Sequence, residues 1–263
     1  MTLELISRLP AGTAHQTPLL FVHGAWHGAW CWDEYFLPYF AERGFAAHAL
    51  SLRNHGASDV SGSLRFKRIR DYVDDVAAIA AGFDRPPAII AHSMGGFVAQ
   101  HYLARHAAPA AVLLASVPPG GVWRTTLKLA GRHPLAFLKA NATWSLYPFI
   151  ATPALAKEAF FSQDMNEAQM QAHWARLTDE SWLAFLDMLA FDLPRPTAVN
   201  SPMLVLGGGR DTIFSPEDVR TTARAYGMEA EIFPGVAHDM MLEKDWRAVA
   251  SRAADWLETT LKD

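Results

Sequence analysis

The chain has one cysteine, Cys31, among 263 residues, so no intramolecular disulfide can brace it. Its eleven histidines are scattered, and none joins a cysteine at zinc-ligand spacing, so no metal site is expected. No apolar run approaches the ~20 residues that a membrane-spanning helix needs. The segment Met1-Thr2-Leu3-Glu4-Leu5 shows no basic stretch running into a long apolar core. A soluble, cytoplasmic protein without stable membrane insertion is therefore expected. The formal net charge is only −4, too mild to suggest nucleic acid or an anionic membrane surface as a partner. Internal repeats and low-complexity tracts are also missing. Cys31 sits between Trp30 and Trp32, a setting that reads as a buried structural thiol rather than a nucleophile.

Apolar residues, by contrast, make up 51% of the chain, enough for a sizeable core, and the length suits one α/β domain with an insertion. Short apolar runs alternate with helical patterns, the signature of an open, mostly parallel sheet with helices on both faces. Strands are predicted near 3–9, 18–22, 45–50, 87–90, 110–115, 203–206 and 230–233. Helices are predicted near 30–43, 68–81, 97–106, 216–225 and 245–261. The alternation lapses once. Between Pro118 and about Val199 no strand-like run occurs, and large apolar residues recur at helical spacing. The expected organisation is a core from 1–117 and 200–263, with a helical cap over 118–199. Such an insertion emerges at the carboxyl edge of the sheet, where ligands bind in these folds.

The most informative stretch is Ala91-His92-Ser93-Met94-Gly95-Gly96, between an apolar strand and an amphipathic helix. A serine there sits on a tight turn, its hydroxyl raised above the sheet, and Gly95 and Gly96 leave room for the strand behind it. A serine hydroxyl is a poor nucleophile at neutral pH and needs an imidazole base oriented by a carboxylate. Two later loops qualify: Gly207-Gly208-Gly209-Arg210-Asp211 and Pro234-Gly235-Val236-Ala237-His238-Asp239. Ser93, Asp211 and His238 are the expected catalytic residues, in serine–acid–histidine chain order. Asp239 adjoins the base and should point away from it, Asp192 is a weaker rival acid, and Ser116-Val117-Pro118 offers no carboxylate. His92 should face away from the turn, while His23 and His27 flank the first loop. Oxyanion donors are expected from the amides of Met94 and of Ala25 in His23-Gly24-Ala25-Trp26. Trp26, Trp123, Trp144 and Phe161 are the expected pocket-lining residues.

These motifs resemble the α/β-hydrolase superfamily across essentially the whole chain. Val22 to Trp32 is similar to the corresponding stretch of the plant methylesterase and hydroxynitrile lyase branch. Ala91-His92-Ser93-Met94-Gly95 resembles the alanine-bearing elbow of small bacterial lipases, and Ser51 to Ser58 a pocket-flanking loop of many bacterial members. The resemblance implies a metal-free, cofactor-free hydrolase with a helical cap and does not identify the substrate. With the serine constellation a carboxylesterase or lipase type is expected, and because no charged residue is evidently placed to bind a polar substrate, a small to medium apolar ester. A homodimer through the cap stays compatible with it. The alternatives are a hydroxynitrile-lyase-like enzyme and a ligand receptor with a vestigial triad. The lyase branch relies on a lysine near the histidine, and here the nearest is Lys244.

Overall fold

A computed structural model describes residues 2–261. Strands β1 (Leu5–Arg8), β2 (Leu19–Val22), β3 (Ala47–Leu50), β4 (Ala88–His92), β5 (Ala111–Leu114), β6 (Met203–Gly208) and β7 (Ala230–Phe233) form one sheet in the order β1-β3-β2-β4-β5-β6-β7. Only β1 runs antiparallel, against β3. The apolar runs of β2, β4 and β5 are fully buried because both faces of the sheet are covered. Side chains alternate between faces. Leu19, Phe21, Ala88 and Ile90 pack with α1 (Trp30–Asp33), α2 (Phe36–Glu42) and α11 (Trp246–Thr260). Leu20, Val22, Ile89 and Ala91 pack with α3 (Ile69–Ala80) and α4 (Met94–Leu103).

The helix expected over 30–43 is two helices, broken at Glu34 and Tyr35. Pro38 explains the break: its ring would clash with the carbonyl of Glu34 in a continuous helix, and it has no N–H to donate. Tyr35 leaves the helix and stacks on Trp246 with centroids 5.0 Å apart. The α10 helix (Pro216–Ala225) matches its predicted bounds, set by the Ser215 and Asp218 capping box with proline at its first position.

Between β5 and β6 the described residues hold no strand. They form α5 (Trp123–Arg132), α6 (Pro134–Thr143), α7 (Pro153–Phe160), α8 (Glu167–Trp174) and α9 (Trp182–Leu186). Among the described residues no helix is long and apolar enough to cross a membrane.

Candidate active site

Ser93 links β4 to α4 with φ 50° and ψ −118°, a backbone conformation that costs roughly 1–3 kcal/mol and persists only where the surroundings enforce it. The surroundings here are tight. A Cβ on Gly95 would lie 2.5 Å from the Val22 carbonyl oxygen and closer still to that of His23. Gly95→Ala should therefore destabilise the fold by about 1–3 kcal/mol, measurable as a lower thermal midpoint; an unchanged midpoint would contradict this packing. Ala91, fully buried and in register with Val22, fits a methyl group where the common form of this turn has glycine.

Asp211 and His238 reach the same sheet edge from the loops after β6 and β7. Asp211 Oδ1 accepts from the amides of Ile213 at 2.7 Å and Phe214 at 2.9 Å, which fixes the carboxylate. Its Oδ2 accepts from His238 Nδ1–H at 2.7 Å. That proton leaves Nε2 bare, and Nε2 lies 3.0 Å from Ser93 Oγ, placed to accept the hydroxyl proton. The three residues expected from separate loops thus form one hydrogen-bonded chain.

Ala25 and Met94 border Ser93 in a cavity of about 420 Å³ roofed by α5, α6 and α9. Met94 opens α4, so its amide has no intrahelical acceptor. Trp26, at φ 65°, also lines the cavity. The walls are mainly apolar, with Val122, Leu129, Phe137, Phe149 and Phe185 contributing.

Three expected pocket residues lie outside that lining. Trp123 starts α5 on its outer side and is about half exposed. Trp144 caps α6 in a left-handed conformation and packs on Phe66 at the surface. Phe161 is buried beneath the lining, against Phe160 and His173. The aromatic count of the cap signalled apolar walls, but helix phase decides which rings face inward. Asp239 lies near the His238 ring, within 4.8 Å between polar atoms, but its Oδ2 bonds His27 Nε2 at 3.0 Å and it makes no hydrogen bond to the His238 ring among the described residues. Lys244 pairs with Asp164 at the surface and does not line the cavity.

Residues 19–252 match the family model described as "Alpha/beta hydrolase family". The chain belongs to this family. Among curated relatives, the hydrolase is 23% identical over 235 residues to a monoacylglycerol lipase of Mycolicibacterium smegmatis, covering 84% of this chain and 81% of the lipase. It is 26% identical over 239 residues to a non-heme haloperoxidase of Rhodococcus erythropolis, covering 85% and 86%. Among solved structures, a monoacylglycerol lipase of Paleococcus ferrophilus superposes with a TM-score of 0.74 at 17% identity, covering 99% of this chain and all of that one.

The hydrolase also holds a buried polar cluster that its sequence did not announce. Glu180, in the helical segment between β5 and β6, is fully buried. Its Oε2 accepts from His55 Nε2 at 3.0 Å and from the Trp26 amide at 3.4 Å. Its Oε1 accepts from the Tyr72 hydroxyl at 2.8 Å and the Ser181 amide at 2.6 Å. His55 Nδ1 faces the Arg53 carbonyl oxygen at 3.0 Å, so both ring nitrogens meet acceptors and the ring is held as imidazolium. Burial opposes that charge, but Glu180 outweighs it and raises the His55 pKa. For Glu180 burial opposes ionisation too, and His55 overcomes it to lower the pKa. His23, 5.2 Å from His55 between ring centroids, is pushed well down by burial and then by that neighbour. It accepts from the Leu52 amide at 3.0 Å, as a neutral ring must.

The two histidines nearest Ser93 are also driven apart. Burial, followed by repulsion from His238, pushes His92 down to about 3. In His238 burial also disfavours the cation, but the Asp211 charge and hydrogen bond prevail and raise its pKa.

Proposed function

We propose that the hydrolase cleaves carboxylic esters through an acyl-enzyme on Ser93. His238 Nε2 takes the hydroxyl proton as Oγ attacks the ester carbonyl carbon, and Asp211 stabilises the imidazolium that forms. The amides of Ala25 and Met94 donate to the oxyanion of the tetrahedral intermediate. The imidazolium then returns its proton to the departing alcohol as the carbon–oxygen bond breaks. Water repeats the sequence on the acyl-enzyme, releasing the acid and restoring Ser93. The observation that carries this reading is the continuous Asp211–His238–Ser93 chain opening into an apolar cavity. The cavity's size and walls favour a small to medium apolar ester. The names of the two lipases among the relatives agree with ester hydrolysis. Lys244, the lysine nearest His238 in sequence, is held at the surface by Asp164 and does not line the cavity, which favours hydrolysis over cyanohydrin cleavage.

The test is a panel of p-nitrophenyl esters of increasing acyl length, followed through many turnovers; a single burst without turnover would instead identify a receptor. Activity also depends on neutral His238. Because its pKa is raised, kcat/KM should fall tenfold per pH unit on the acid side of a midpoint above about 6.5, the ordinary imidazole value. A profile flat from pH 8 to pH 5 would contradict His238 as the base.

A further inference from the structure

The cap's outer face differs from the rest of the molecule in both charge and polarity. No aspartate or glutamate occurs between Asp84 and Glu158, although the whole chain carries a net charge of −4. Within that stretch α5 and α6 pack together and wall the cavity with one side, through Leu129, Phe137 and Ala140. Their other side repeats one pattern. Arg124, Leu127 and Lys128 follow each other at i, i+3 and i+4 on α5, Lys128 lying at the flank where it also borders the cavity, and Leu135, Leu138 and Lys139 do the same on α6. All six are exposed, and Leu135 is 81% accessible. Six of the twelve exposed large apolar side chains among the described residues fall within residues 123–147. Arg124, Lys128 and Lys139 form no ion pair among the described residues. The acids against this face, Glu158 and Asp179, are engaged: Glu158 by Arg132 and His133, and Asp179 by the amides of Leu146 and Tyr147.

We propose that the α5–α6 face docks on an anionic lipid surface, with Leu127, Leu135 and Leu138 entering the apolar boundary and Arg124, Lys128 and Lys139 facing the headgroups. Apolar side chains flanked by long cationic ones are what an interfacial helix presents to such a surface. Charge selects the occupant. A second copy would bring the same cations against these, whereas anionic headgroups neutralise them, at roughly fivefold in affinity per cation near the surface. The weak overall charge conceals this segregation, which is why composition pointed away from a membrane surface.

Binding is measured without turnover, so the outcome is independent of the ester reading above. The full chain is sedimented with phosphatidylglycerol–phosphatidylcholine vesicles and with phosphatidylcholine vesicles, each at low and high salt. Binding to the anionic vesicles alone, at least tenfold weaker in high salt, is expected. The variant L135S/L138S/K139E should lose at least tenfold in vesicle affinity while hydrolysing a water-soluble p-nitrophenyl ester at the parent rate. Lys139→Glu alone, an exposed charge reversal that the fold tolerates, should weaken binding several-fold. No binding to anionic vesicles, or undiminished binding by these variants, would overturn the proposal. So would a dimer in sedimentation velocity that the triple variant dissolves, because the face would then be covered by a second copy.

Discussion

Ser93→Ala is expected to lower kcat/KM on an activated ester by a factor of about 10³ or more, equivalent to at least about 4 kcal/mol of transition-state stabilisation. In the proposed mechanism the alanine removes the atom that forms the acyl bond and leaves His238 Nε2 without the hydroxyl 3.0 Å away that it would deprotonate. What remains is the cavity and the proposed oxyanion donors, which would still polarise a carbonyl toward water. The substitution deletes one hydroxyl and no packing volume, so thermal unfolding should match the parent. Retention of most ester turnover by a correctly folded variant would rule out Ser93 as the nucleophile. An intact-mass increase of one acyl group on the parent, absent from the variant, would place the covalent step on this side chain.

The second large effect concerns stability. Glu180→Ala should destabilise the hydrolase by about 3–5 kcal/mol, because removing one partner of a buried pair leaves the other charge uncompensated. For a chain of this size that corresponds to a fall of roughly 6–20 °C in Tm. Besides the His55 imidazolium, the change strips acceptors from the Tyr72 hydroxyl and from the Trp26 and Ser181 amides. Combining it with His55→Leu should recover part of the loss, since no charge is then stranded. Additive losses in that cycle would show that the two residues are not coupled.

The pH dependence of the pair has two limbs. Glu180 has its pKa lowered on folding, so its contribution is complete above about 4.3 and is lost as pH falls through the lower folded value. His55 has its pKa raised, so its contribution is complete below about 6.5 and is lost as pH rises through the higher folded value. The pair therefore stabilises most between about pH 4.3 and pH 6.5, and Glu180→Ala should flatten that part of the stability profile.

The features legible in the sequence were those written in local patterns. Strand runs such as those of β4 and β5, the turn at Ser93, and the loops bearing Asp211 and His238 each carry their signal within a few residues. The paired chain order was enough to assemble them. Helix phase in the cap was less accessible. Trp123 and Trp144 look like pocket residues by composition, and only the packing of α5 and α6 turns them outward. Pro38 was a local signal that the continuous helix reading passed over. Glu180 had no local signal. In Thr178-Asp179-Glu180-Ser181 it reads as part of a polar helix approach, and its partners other than the Ser181 amide lie 108 to 154 positions away.

The way the cap is fastened has a consequence for substrate traffic. Its trailing half is moored by Glu180 and by Asp187, which pairs with Arg68 and accepts from the Ile69 amide at 3.0 Å. Its leading half is held by neutral contacts, such as the Thr125 hydroxyl donating to the Ile213 carbonyl oxygen at 3.2 Å, and α5 has no buried residue. Lifting the whole roof would pull the buried carboxylates of Glu180 and Asp187 off their partners. Displacing α5 and α6 alone would spare those buried carboxylates, so an opening on that side is the less costly one.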